Sequence, residues 1–231
     1  MVHREEKGDG HLFKVHMGIK DHLKKHRKII LKLIPTLRIP PVSRLSLNIE
    51  LKKLFKRLQP GIVLDVGSGY SNGYKSLIPH TKYMTLDIND KFTPDICCDL
   101  HQIKWESNFF DTVIAIEVLE HLYEPQKAIN EIYRILKKGG ICIASTRFIF
   151  RYHKDPKDYY RFTWDSLKHL FSLFNEVEVF HHGNKIQVIW EMVNYDYGVA
   201  QVVLNILNLV FARIRIKHTY YPNGFVVYAK K

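Results

Sequence analysis

Apolar positions along this chain switch between two periods. In SLNIELKKLFKRL (46–58), Leu47, Leu51, Leu54, Phe55 and Leu58 recur at helical spacing, and Ser46 stands where an N-cap belongs. Pro60-Gly61 then breaks the pattern. Beyond it come short apolar runs of strand length: IVLDV (62–66), YMTLDI (83–88), DICC (95–98), FDTVIAIEV (110–118), ICIAST (141–146), VEVFHH (177–182) and GFVVYAK (224–230). Helical patterns separate several of them. PQKAINEIYRILKKGG (125–140) turns Ala128, Ile132, Ile135 and Leu136 to one side and ends on Gly139-Gly140. WDSLKHLFSLF (164–174) is another. Strands alternating with helices at this spacing predict an α/β fold with a parallel, doubly wound sheet and helices on both faces. Ligands in such folds sit beyond the carboxyl ends of the strands, where the strand order reverses.

Two regions depart from this alternation. The first precedes it: residues 1–18 are polar and His-rich, and IKDHLKKHRKIILKLI (19–34) predicts a basic helix with Ile29, Ile30, Leu33 and Ile34 on one side, stopped by PTLRIPP (35–41). The second separates the last two strands. Within it, VAQVVLNILNLVFARIRI (199–216) confines Gln201, Asn205, Asn208 and Ala212 to one narrow face. From Val199 to Ala212 a helix would run about 21 Å, too short to cross a bilayer. It reads as a lid, as a dimer interface, or as an interfacial membrane helix ending at Arg213, Arg215 and Lys217. The chain thus divides into a basic arm, residues 1–45, and a domain, residues 46–231, carrying an insertion at about 184–223.

Charge sharpens that division. The net charge of +12 over 231 residues is concentrated in residues 1–60, which hold 15 Lys/Arg against 5 Asp/Glu, while the rest is nearly balanced. Such an arm is drawn to an anionic partner, and with 199–217 it could meet an anionic membrane surface. No long apolar run and no signal-like N-terminus is present, so a cytoplasmic protein, peripheral at the inner face of the membrane, is expected. Cys97, Cys98 and Cys142 are expected as small buried strand residues in a reducing compartment.

The chemistry begins at LDVGSGYSNG (64–73). A P-loop needs Gly-Lys-Ser/Thr, but Gly73 is followed by Tyr74. A dinucleotide turn needs a small third residue, but the pattern from Gly67 and Gly69 reaches Asn72. Asp65 would be unwelcome beside a pyrophosphate and suits a ligand with a positive amino group. S-adenosyl-L-methionine (SAM) is such a ligand. Its parts match successive strand tips: Asp65 with Gly67, Ser68 and Gly69 for the amino-acid moiety; Asp87, 22 residues on, with Ile88, for the ribose; Asp99 and Leu100 for the adenine; and EVLEHL (117–122), opened by Glu117, beside the methyl.

In order and spacing, VLDVGSGYSNG, LDIND, CDLHQI, FDTVIAIEVLEHLYEP and EIYRILKKGGICIAS resemble the class I SAM-dependent methyltransferases, in particular the methyltransferase type 11 group, over residues 60–165. The resemblance implies a Rossmann-like sheet of seven strands, ordered 3-2-1-4-5-7-6 with strand 7 antiparallel. It implies SAM contacts at Asp65, Gly67, Gly69, Asp87, Asp99 and around Glu117. Ser71 departs from the family, standing where a third glycine often falls.

Methyl transfer is an in-line displacement that requires alignment and exclusion of water, and no metal in principle. An oxygen acceptor calls for a base, and His121 and His153 are the candidates. In STRFIFRYHKDPKDYYRFTWDSL (145–167), Asp155, Tyr159, Tyr160 and Arg161 join His153 as pocket candidates, the last three for substrate binding. DYYRFTWDSL resembles a segment of type 11 enzymes associated with glycan assembly, where Thr163 would cap the following helix. The leading expectation is therefore methylation of a small or lipid-linked acceptor, such as a sugar hydroxyl in cell-surface glycan biosynthesis. An RNA or protein methyltransferase using the basic arm is a second reading, set back by the lack of an RNA-binding motif or an Asn-Pro-Pro-Tyr-type tetrad. A non-catalytic, membrane-docked SAM-binding module is a third.

Overall fold

A computed structural model describes residues 40–69, 73–153, 156–194, 207–214, 216 and 219–231. The basic helix expected at 19–34, Ser71, Asn72, Asp155 and most of 199–217 lie outside the described residues. The elements run α1 (Val42–Phe55), β1 (Ile62–Val66), β2 (Lys82–Asp87), β3 (Ile96–Cys97), β4 (Phe110–Ile116), α2 (Pro125–Ile135), β5 (Leu136–Arg147), α3 (Trp164–Leu170), β6 (Glu176–His182), α4 (Lys185–Asn194) and β7 (Gly224–Lys230).

The seven strands form one sheet in the order β3-β2-β1-β4-β5-β7-β6. β7 runs antiparallel to both its neighbours, and the other pairings are parallel. Both faces of the sheet are covered, which is why its central strands read as continuous apolar runs. Neighbouring strand residues serve opposite faces. Val63, Ile114, Ile143 and Val226 pack with Leu47, Leu51, Leu54 and Phe55 of α1. Leu64, Val113, Ala144 and Val227 pack with Ile129, Ile132 and Ile135 of α2 and with Leu167 and Leu170 of α3. Burying each such aliphatic side chain contributes roughly 1.5–3 kcal/mol.

The structure corrects four expectations. α1 begins at Val42, behind Pro41, so Ser46 is no cap. Pro41 has an extended ψ that suits the residue before a helix, and Ser46 donates instead to the Ser43 carbonyl at 2.9 Å. α2 stops at Ile135 rather than at Gly140, because Leu136 pairs with Phe110 and begins β5. Gly139 then turns in the left-handed region at φ +78°, and the Lys231 ammonium takes over the freed carbonyls, donating to those of Tyr133 and Leu136 at 2.7 Å each. α3 ends early, at Leu170, after a capping box of Thr163 and Ser166. Of the cysteines only Cys142 is buried; Cys97 is exposed. Among the described residues no helix is long and apolar enough to cross a membrane.

Candidate active site

β1, β2 and β4 end side by side, and the strand order reverses between β1 and β4. At the β1 tip Gly67 and Gly69 adopt φ +67° and +55°, a region that glycine enters without steric cost. A Cβ on Gly67 would also lie 2.7 Å from Val118 Cγ2, so the turn passes close beneath the β4 tip. Asp87 holds the turn's shape. Its Oδ2 accepts from Gly69 N at 3.0 Å and its Oδ1 from Asn89 N at 2.9 Å. A carboxylate offers about four acceptor positions, so capacity remains for ligand hydroxyls. Asp65 is buried at the end of β1 and accepts from the Tyr83 hydroxyl at 2.7 Å. Burial pushes its carboxyl up to about 7, partly offset by that hydrogen bond.

A cavity of about 340 Å³ opens here, lined by Asp65, Gly67, Ser68, Gly73, Tyr74 and Ile116, with Arg44 and Asn48 from α1. Arg44 donates to the Tyr74 hydroxyl at 3.1 Å. Asn48 Oδ1 is buried with no hydrogen-bond partner. These two were missed in the sequence. Their only signal was a polar pair four residues apart, on a helix that read as core. Further along, Ile88 is 70% exposed beside Asp87. Asp99 caps the turn at Leu100–Gln102 and pairs with His101 Nδ1 at 2.5 Å, while Leu100 is turned into the core.

The β4 tip is built differently. Glu117 sits at φ +60°, a conformation that costs a non-glycine residue on the order of 1 kcal/mol or more. Its carboxylate pairs with the buried Arg147 and accepts from Ser145 Oγ at 3.1 Å. Glu120 is 0% exposed, and neither carboxylate oxygen has a hydrogen-bond partner. Burial, reinforced by Glu117, pushes its carboxyl up to about 7.

The structure brings His121 and His153 together, with ring centroids 4.9 Å apart. His121 Nδ1 lies 2.8 Å from the Lys157 carbonyl, and His153 Nδ1 lies 3.1 Å from Asp158 Oδ2. Asp158 is also gripped by both terminal nitrogens of Arg161, which hold it well below the usual carboxylate range. Arg161 therefore fastens the loop at the point where the sequence suggested a substrate contact. Tyr159 and Tyr160 are exposed, but their backbone N–H groups both donate to the Glu120 carbonyl, at 2.8 and 3.4 Å. Nearby, Ile149, Phe150, Arg151, Val188, Glu191, Met192 and Asn223 line a second cavity of about 270 Å³, one wall of which is the insertion helix α4.

Residues 64–144 match the family model for a methyltransferase domain of the type 11 group. An uncharacterized protein of Methanocaldococcus jannaschii is 33% identical over 123 residues, 51% of this chain and 52% of its own length. The ubiquinone biosynthesis O-methyltransferase of Psychrobacter cryohalolentis is 34% identical over 50 residues, 22% of this chain and 18% of its own. The chain thus spans about half the length of the first relative and less of the second. Among solved structures, a SAM-dependent methyltransferase of Thermotoga maritima, described as a possible histamine N-methyltransferase, superposes with TM-score 0.55 at 16% identity, covering 91% of this chain and 99% of that one. The Haemonchus contortus phosphoethanolamine N-methyltransferase 2 in complex with SAM gives 0.54 at 17% identity, covering 80% of this chain and 52% of that one. These two likenesses establish the fold. The segment from Leu64 to Ala144 thus matches the type 11 methyltransferase domain, and the sheet built around it has the fold of SAM-dependent methyltransferases.

Proposed function

We propose that the protein is a SAM-dependent methyltransferase whose acceptor is a hydroxyl on a small or lipid-linked molecule, with a sugar hydroxyl as the leading candidate. One observation carries the cofactor part of this reading. Two buried carboxylates, Asp65 and Asp87, end adjacent strands beside a left-handed glycine turn; Asp65 lines the cavity there and Asp87 holds the turn through Gly69 N. The residues fit the cofactor. Asp65 and the orphaned Asn48 Oδ1 would accept from its ammonium, Arg44 would face its carboxylate, and Asp87 would accept from the ribose hydroxyls. Ile88 would lie beside the ribose and Asp99 would face the adenine. When bound, SAM supplies an electrophilic methyl group.

The chain's own residues then position the acceptor. Tyr159 and Tyr160 tie the loop after β5 to the Glu120 carbonyl, and the His121–His153 pair would take the proton that leaves an acceptor oxygen. The hydroxyl reading draws on those histidines, which an amine acceptor would not need, and on the partial likeness to an O-methyltransferase. The lipid-linked option draws on the exposed apolar side chains Ile189, Met192 and Val193 of α4, Met192 also lining the second cavity, and on the basic arm. Calorimetry with SAM and with its demethylated product tests the core of the proposal. Micromolar binding of both is expected, and absence of both would overturn it. Screening glycan intermediates for label transfer from methyl-labelled SAM then tests the acceptor.

A further inference from the structure

The turn after β4 and the loop after β5 bring three metal-ligand side chains to one point. One ligand atom from each of Glu120, His121 and His153 lies within 4.8 Å of the other two. Glu120 is fully buried and its two carboxylate oxygens are orphaned. A buried carboxylate left without partners is costly and needs a cation or a proton to compensate it. Arg147 and the Thr146 hydroxyl compensate Glu120 only in part, since Arg147 is already paired with Glu117 and burial still dominates.

The histidines are oriented as ligands would be. The Lys157 carbonyl beside His121 and the Asp158 carboxylate beside His153 accept, so in the neutral ring each Nδ1 carries the proton and each Nε2 offers its lone pair. A backbone carbonyl or carboxylate behind the non-ligating nitrogen is the usual outer support of metal-bound histidine. Asp158 is in turn fixed by Arg161, so the support is rigid.

We propose that Glu120, His121 and His153 bind one divalent transition-metal ion through the carboxylate and the two Nε2 atoms, and that the ion's open positions receive the acceptor hydroxyl. Two imidazoles and one carboxylate favour Zn²⁺, Fe²⁺ or Mn²⁺ over Mg²⁺, which prefers all-oxygen surroundings. A bound cation would lower the hydroxyl's pKa, so that its proton could pass to water without a histidine base. This replaces the expectation that the site needs no metal. The ion's catalytic role rests on the methyltransferase reading above; its binding does not.

The test uses the untagged full chain, stripped with a chelator and titrated with Co²⁺ and Zn²⁺. One tight equivalent is expected, with Co²⁺ giving the visible bands of a low-coordinate nitrogen–oxygen site. His121→Ala/His153→Ala, which keeps every histidine of the N-terminal arm, should lose this binding, and Glu120→Gln should weaken it at least about 10-fold. SAM calorimetry on the same variants checks that they are folded. Binding of equal strength in wild type and double variant would overturn the proposal, as would wild-type protein that takes up no ion while binding SAM. Ion binding without SAM binding would leave the site standing and remove the methyltransferase reading.

Discussion

The two ends of the site treat buried polar atoms in opposite ways. At the tips of β1 and β2, main-chain and hydroxyl donors already use most of them: Asp87 holds two backbone amides and Asp65 holds the Tyr83 hydroxyl. Asn48 Oδ1 is the exception there. At the tips of β4 and β5, orphans accumulate: both oxygens of Glu120, Thr146 Oγ1, and Asn223 Oδ1 beside the second cavity. The first end is a turn whose shape is held from within the fold by Asp87. The second keeps unspent hydrogen-bonding capacity, which is what recognition of one particular acceptor requires.

Substitutions can break this contrast, and the largest effect is expected at Asp87. Asp87→Ala removes both the turn's support and the ribose acceptor, so SAM affinity should fall at least about 100-fold in calorimetry, at roughly 1.5–3 kcal/mol per charged hydrogen bond. An unchanged Kd would remove Asp87 from the cofactor site.

Asp65 sharpens the contrast, because its two roles carry opposite signs. Its folded-state pKa, about 7, lies above its ordinary value of 3.8, so the folded protein binds this proton more tightly than the unfolded chain does. Its contribution to stability is therefore greatest in acid and is lost as pH rises from about 4 to about 7. The full penalty at pH 8 is at most about 4 kcal/mol. Asp65→Asn should thus raise the melting temperature of the ligand-free protein at pH 8 while weakening SAM binding. Wild-type SAM affinity should drop as pH falls below about 7, where Asp65 becomes neutral, and calorimetry across pH 5.5–8.5 reads this directly. A flat profile would mean that Asp65 does not face the ammonium.

A smaller effect is expected from Asn48→Ala: about 10-fold weaker SAM binding with stability nearly unchanged, since the atom removed has no partner in the fold. Smallest for chemistry should be deletion of residues 1–39, which ends before α1. Turnover of a soluble acceptor should persist, while sedimentation with anionic liposomes should fall and become insensitive to salt. Liposome binding that survives the deletion would exclude the arm as the anchor.

What could be read from the sequence follows the same division. The strands bearing Asp65 and Asp87 were legible because buried parallel strands are apolar runs and their tip residues follow directly in the chain. The end of α2 was not. Leu136 fits a helical stripe as well as a strand, and only its pairing with Phe110 decides between them. Arg44 and Asn48 were hidden because the rotation of α1 over the sheet is a tertiary fact. His153 stands 32 residues after His121, and their meeting depends on a loop whose course no local pattern records.

The loop after β5 meets the β4 turn through main-chain bonds, Tyr159 and Tyr160 N–H to the Glu120 carbonyl. Bonds of that kind are indifferent to which side chains the two residues carry. The exposed Tyr159 can therefore be exchanged, by evolution or by an engineer, without loosening the joint, whereas Tyr160 also donates its hydroxyl to the Tyr123 carbonyl at 3.2 Å and so helps to hold it. Libraries randomised at 159, with Asp158, Tyr160 and Arg161 kept, should stay folded.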